Sequence, residues 1–491
     1  MSLRFGNYCV KSLSKVTKQD FMISMKTEKQ AETKLSERTD VVLGMFEKMF
    51  PSQIIRALYE ETKQTYYERL LPPLLILWGF IFQRLSADHS CDAAWSYLSS
   101  DSVQEQFGLN KAGQQLCSES TSAYCQARQR LPIKVARQVL AYTSKTIAEK
   151  TGDDGRWHGW RVNLFDGSTL QLAASDKLQE HYGTNHNQYR RGHWPLMRLV
   201  AGFDFFTGAV NGVAEGPYNV SEHPLAVTLI AELGASILHI GDRFFGAYHV
   251  LQAIVAAKSQ ANLRLNTNSA KRLCASQVLR SGCDLDVVWK KAPYDKIEPD
   301  LPTPDITGRL IYSRLEKAGF RPIDLYLFTT LTDREAYSAA DLVALYGLRW
   351  HVELDFRHLK TTLGMERLDG KSVDIVCKEL ILGLTAYNLL RGLMTTAALQ
   401  ADVLPCQLSI AKCWRRTIDA CRGLSNQTSD EKIARILSRL LQRLGRCLLP
   451  KRNHERFEPR AVWGRAQVFP KIKSSREETR AEQLKLMAPK S

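Results

Sequence analysis

Three carboxylates carry the chemistry this sequence offers. Asp166 interrupts the apolar stretch "GWRVNLFDGSTLQL", Asp242 closes another in "SILHIGDRFFG", and Glu353 lies within "YGLRWHVELDFRHLK", Tyr346 to Lys360. Burying a carboxylate in an apolar strand is costly unless a cation, a hydrogen-bond network or a metal meets it. Taken singly, each aspartate reads more simply as a turn cap, and "DGS" and "GDR" are weak motifs. Taken together, three oxygen donors suit Mg²⁺ or Mn²⁺ rather than zinc. Two such ions, about 3.5–4 Å apart, activate water or a 3′-hydroxyl and stabilise the leaving oxygen of a phosphodiester.

The residues around Glu353 fit that chemistry. At roughly 100° per residue, one continuous helix puts Tyr346, Arg349, Glu353 and Lys360 within about 60° of arc. They border an apolar seam of Leu345, Leu348, Val352, Phe356, Leu359 and Leu363. Such an edge faces a cleft. There, Arg349 can grip phosphate oxygens with its fork and Lys360 as a point charge, while Tyr346 can donate to phosphate. Asp355 and Glu366 fall off the edge and are expected to be solvated.

The elements that must position these groups fall in three zones. Residues 41–155 read as helical, with a basic unit in "SESTSAYCQARQRLP" whose Arg128 and Arg130 either contact DNA or form an ordinary exposed face. Residues 156–270 alternate strand and helix, an α/β layer. Strands are expected around Val162 and Leu164, at "SILHIGD" and at "ANLRLN", with helices at "HPLAVTLIAELG" and "AYHVLQAIVAAK" and a hairpin signal at Thr207-Gly208. Residues 271–332 interrupt the layer with short strands such as "DLDVVW" and "IDLYLFTTL", a β-rich insertion; 333–400 return to the layer. Residues 401–491 are helical and basic, and the tail and residues 1–40 are expected to be flexible.

Composition narrows the partners. The chain has 491 residues, a formal charge of +16 and 44% hydrophobic residues, those of a folded globular protein with a polyanionic partner. Residues 401–491 hold 20 Lys+Arg against 9 Asp+Glu, so +11 of the charge lies there. The 11 scattered cysteines show no zinc spacing and read as reduced thiols, which makes the sequons at Asn219 and Asn426 chance matches. The run Leu70–Phe82 is too short to span a bilayer, and no signal peptide is evident, so a cytoplasmic, membrane-free protein with access to DNA is expected. "HYGTNHNQYRRGHW" repeats no ligand spacing and reads as a basic DNA-facing loop through Arg190 and Arg191. Arg243 can reach a phosphate or pair with an acid. There is no P-loop and no dinucleotide fingerprint.

Tyr346-x2-Arg349-x3-Glu353-x6-Lys360 resembles, without a gap, the Y-R-E-K signature of DDE transposases of the IS-four insertion-sequence family. "DGSTLQLAASDK" is similar to the family's first-Asp segment, "HIGDRFFGAYHVL" to its second, and "SAYCQARQRLP" to a stretch before the core. The resemblance spans about Gln53 to Arg480. It implies a ribonuclease-H-like catalytic core carrying a β-rich insertion, flanked by helical N- and C-terminal regions. Asp166, Asp242 and Glu353 would hold two Mg²⁺ ions, with Mn²⁺ able to substitute, and Tyr346, Arg349 and Lys360 would contact phosphates at the element's end. Related enzymes nick by hydrolysis, form a hairpin through the new 3′-hydroxyl, reopen it and join target DNA. Double-stranded DNA at terminal inverted repeats and target sites would be the substrate, held by a homodimer. Some members flip a base against a tryptophan in the insertion, and Trp289 is the candidate here, with a packed core tryptophan as the alternative. The rival readings are a catalytically inactive DNA-binding protein derived from a transposase, a two-carboxylate glycosidase indifferent to metal, and a structural nucleoid protein.

Overall fold

The computed structural model describes residues 45–47, 49–66, 71–86, 88–106, 120–186, 191–275, 277–316, 322–424, 429–450 and 478. The expected flexible N-terminus, Arg190 and nearly all of 451–491 lie outside them. Two units divide the chain: Met1–Ser313 with Tyr326–Pro450, and Arg314–Leu325 with Lys451–Ser491. In the second, Arg314 pairs with Glu316 and Asp324 at 2.6 and 3.5 Å. Everything below concerns the first.

A helical layer opens the chain: α1 (Ser52–Glu61), α2 (Pro73–Leu85), α3 (Cys91–Leu98), α4 (Asp101–Gln106), α5 (Ser122–Arg130) and α6 (Ile133–Thr151). Prolines start α2 and α6 where their missing N–H costs nothing. The apolar run expected to be a buried helix is α2, enclosed along nearly its whole length. Among the described residues no helix is long and apolar enough to cross a membrane, and each described cysteine is a free thiol.

The α/β layer follows: β1 (Arg161–Leu172), α7 (Asp176–Tyr182), β2 (Thr184–His186), β3 (Arg191–Asp204), β4 (Val210–Pro217), α8 (Glu222–Leu233), β5 (Ile237–Gly241), α9 (Tyr248–Ala256) and β6 (Gln260–Leu265). β3 runs antiparallel to both β1 and β4. β5 lies parallel to β1, and β6 parallel to β5. The β3–β4 turn is the expected hairpin: Asp204 Oδ1 accepts from the Thr207 N–H and hydroxyl at 2.8 and 2.7 Å. Gly208 there has a positive φ of 68°.

After α10 (Thr267–Leu273) come β7 (Cys283–Trp289), β8 (Ile306–Leu315) and β9 (Ile323–Thr329). The strands expected in the insertion prolong the central sheet, in the order β3-β1-β5-β6-β9-β8-β7, with β9 antiparallel to β6. Trp289 is 1% exposed and buried in the apolar core, edge-on to Phe328 with ring centres 5.2 Å apart. That corrects the base-flipping assignment, since no face of this ring is open to a base in this structure.

The segment expected to be one helix is broken. α11 (Ala339–Gly347) stops, α12 (Trp350–Arg357) restarts, and a π-helical turn covers His358–Thr362. At the break Arg349 N bonds Tyr346 O and Val352 N bonds Arg349 O, both at 3.0 Å and both three residues apart. The tighter turn changes the phase between Tyr346 and Glu353, so a uniform 100° count does not describe this edge. The two-residue β10 (Arg367–Leu368) joins β1. α13 (Val373–Gln400) then packs on α2 and α6, and α14 (Ile410–Leu424) and α15 (Asp430–Gly445) complete the helical end.

Buried ion pairs on or against α13 overturn two sequence readings. Asp355, expected to be solvated, is buried and accepts from Arg391 and from the Tyr387 hydroxyl. Arg128, read as either a DNA contact or part of an ordinary exposed face, is buried against Glu379 and lies over the Phe80 ring at 4.4 Å. Arg130 and Glu366 are exposed.

Candidate active site

Parallel pairing brings the two aspartates together. Leu164 on β1 is registered with Ile240 on β5, and Asp166 and Asp242 each lie two residues further along adjacent strands. Strand neighbours are about 4.8 Å apart, so the carboxylates sit on one level of the sheet. Asp166 follows Val162 to Phe165, a stretch that is buried throughout. Its Oδ1 accepts from the Gly167 N–H at 2.8 Å. Asp242 ends its strand as a turn cap, Oδ1 accepting from the Phe244 N–H at 2.8 Å.

Glu353 arrives from α12. Arg349 donates to Asp166 Oδ2 at 3.1 Å and to Glu353 Oε1 at 2.9 Å. One guanidinium thus bridges a strand carboxylate and a helix carboxylate. Burial pushes the Asp166 carboxyl up, the Gly167 N–H draws it down, Asp242 and Glu353 add to the rise, and Arg349 opposes it. The three acids therefore lie within one another's fields. Burial works against the Arg349 charge, but Tyr346, Glu353 and Asp166 outweigh it, so this cation is held firmly.

The other signature residues are placed less directly. Tyr346 is buried, and its phenol is pushed up by burial first, while Arg349 and Arg264 draw it down. Its hydroxyl and Arg264 Nε both lie buried beside the site without a well-formed hydrogen bond. Lys360 is half-buried in the π turn, where burial lowers its ammonium and Glu366 opposes that shift. Among the described residues it makes no hydrogen bond or ion pair with the three acids. Arg243 is exposed.

Sequence reasoning missed Glu222. This first residue of α8 places its carboxylate against the β1 backbone at Gly167, where an added Cβ would meet its Cδ and Oε2 at 2.2 Å. The signal was available: a glutamate behind a serine opening a helix. Nothing in the sequence alone tied that helix start to Asp166.

The donor set suits a hard divalent cation, because every candidate ligand is a carboxylate oxygen. Among the described residues no three His, Cys, Asp or Glu side chains already close on one point. Arg349 stands between two of them and supplies the positive charge that a bound cation would supply.

Residues 157–389, which contain Asp166, Asp242 and Glu353, match the family described as "Transposase DDE domain". This match and the relatives below support a DDE transposase of the IS-four type, an enzyme that cleaves DNA and transfers strands. The transposase InsG of insertion sequence element IS4 from Escherichia coli (strain K12) is 26% identical over 363 residues, 71% of this chain and 78% of that protein. InsZ from the same strain, also named as a transposase, is 27% identical over 136 residues, 28% of this chain and 45% of its own length. A cryo-EM structure of the piggyBac transposase synaptic complex with hairpin DNA aligns over 82% of this chain and 85% of that one, with 10% identity and a TM-score of 0.35. That similarity is too slight to bear on the argument.

Proposed function

We propose that Asp166, Asp242 and Glu353 hold two divalent cations, Mg²⁺ with Mn²⁺ able to substitute, and that the chain moves an insertion sequence by cut-and-paste. The observation that carries this reading is that Arg349 bridges the Asp166 and Glu353 carboxylates while strand pairing places Asp242 beside Asp166. When bound, such cations supply a polarised nucleophile and stabilise the leaving oxygen. The protein's part is to hold the carboxylates ionised, exclude bulk water on the β1 side and grip the phosphodiester. Arg349, which pairs with two of these carboxylates, would be free to grip phosphate oxygens where cations held those acids instead. Tyr346 and Lys360 border the same strand of DNA, Tyr346 donating through its unmatched hydroxyl. The sheet order β4-β3-β1-β5-β6, with β3 antiparallel and β5 and β6 parallel to β1, supports a ribonuclease-H-like core. Terminal inverted repeats are the expected substrate, and joining two ends to one target favours a homodimer on DNA.

The test is Mg²⁺-dependent nicking of supercoiled plasmid carrying the element's ends. Wild type should nick at the ends, and Glu353→Gln, which keeps shape but loses charge, should be slower by at least about 100-fold. Equal cleavage by the two would sink the reading. Specific binding with no nicking by either would favour the inactive DNA-binding descendant.

A further inference from the structure

The Glu222 carboxylate stands beside the proposed cation site without a partner. It is half-buried at the start of α8 and forms no side-chain hydrogen bond or ion pair among the described residues. Its Cδ and Oε2 lie 2.2 Å, and its Oε1 2.6 Å, from where a Gly167 Cβ would be. The carboxylate therefore occupies room that only glycine leaves, one residue beyond Asp166. Asp166 Oδ1 takes the N–H of that same Gly167, so two carboxylates flank one peptide unit.

The charge balance makes this placement costly as it stands. Burial raises the Glu222 carboxyl, Arg198 opposes the rise, and Asp166 and Asp242 add to it. Arg349 already serves Asp166 and Glu353. An acid packed toward two others, with no ion pair of its own, is best satisfied by a further cation. A helix N-terminus also favours an acid. That account explains a glutamate at this position but not a glycine cleared for its carboxylate next to Asp166.

We propose that Glu222 is a fourth carboxylate of the site, sharing with Asp166 and Asp242 in holding a divalent cation. This rests on the cation reading above and adds a ligand to it. The test uses the full DNA-free chain and Mn²⁺ alone, with free Mn²⁺ counted by electron paramagnetic resonance and folding followed by thermal melting. Glu222→Gln should weaken Mn²⁺ binding by roughly tenfold to hundredfold with the melting temperature maintained. Gly167→Ala, which displaces the carboxylate while leaving it charged, should weaken binding in the same direction. If Asp166→Asn and Asp242→Asn weaken Mn²⁺ binding and Glu222→Gln does not, this proposal falls alone. If none of the variants changes binding, the cation reading falls and takes this one with it.

Discussion

Arg349 gives the most discriminating perturbation, because it should move two measurements in opposite directions. Its guanidinium lies 3.1 Å from Asp166 and 2.9 Å from Glu353. Each contact would be worth about 5–6 kcal/mol at an effective dielectric of 20. Solvent reaches both partners, with the Asp166 side chain 21% and the Glu353 side chain 38% exposed, and exposed pairs contribute about 0–1 kcal/mol. About 1 kcal/mol each is the reasonable middle, or about 2 kcal/mol in all. A cation entering the site must displace those contacts. Arg349→Gln removes that competition, so Mn²⁺ should bind the DNA-free protein roughly 30-fold more tightly, since each 1.4 kcal/mol is about tenfold. The same variant lacks the phosphate grip, so plasmid nicking should fall by about 100-fold or more. Paramagnetic resonance of free Mn²⁺ gives the first number and gel-based nicking the second. Mn²⁺ binding no tighter than wild type would refute the view that Arg349 stands in for the cation.

Two further outcomes follow from buried groups. Asp355→Ala strands Arg391 as an unmatched buried cation, and should cost about 3–5 kcal/mol in urea unfolding; a loss under about 1 kcal/mol would mean the pair is solvated after all. His239, fully buried between β1 and β6, is pushed down by burial to about 3, well below its unfolded value. The unfolded chain thus takes up that proton first: the contribution is intact above about pH 6.5 and is lost as pH falls toward 3, at about 1.4 kcal/mol per pH unit. Its imidazole resonances should stay flat down to pH 5, and titration near 6.5 would contradict the burial.

How much was readable in advance depended on whether the information was local. β1, β5 and β6 and helices α8 and α9 were legible because apolar runs and their breaks are local signals, and so was the Thr207-Gly208 turn. The two aspartates stood out because a carboxylate within or closing an apolar strand is anomalous wherever it occurs, and Glu353 because it borders an apolar helical seam. Partners distant in sequence were not. Asp355 looked solvated because Arg391 and Tyr387 lie more than thirty residues further on. Arg128 looked exposed, whether for DNA or for solvent, because Glu379 is far along the chain. The helix break at Leu348-Arg349 follows Gly347, where α11 ends, but a lone glycine in a helical pattern is a weak stop signal, and α12 then packs against β1.

Those tertiary contacts also explain how so short a helix aims Glu353. α12 has eight residues, with a tight turn before it and a π turn after it, so helix propagation gives it little stiffness of its own. Its fixity comes from two adjacent side chains turned inward. Asp355 is tied to Arg391 and Tyr387 on α13, and Phe356 meets the edge of Phe203 with ring centres 5.2 Å apart. Phe203 is registered with Leu164, and Ala201 with Asp166, on β1. A single aromatic contact therefore links the helix bearing Glu353 to the strand pair bearing Asp166. Gly208 closes the other side: a Cβ there would lie 2.6 Å from the Arg391 guanidinium carbon, so the hairpin turn leaves the room that lets Arg391 reach Asp355. Enlarging Gly208 would accordingly act on Glu353 through Arg391 and Asp355, even though it touches none of the acidic residues of the site.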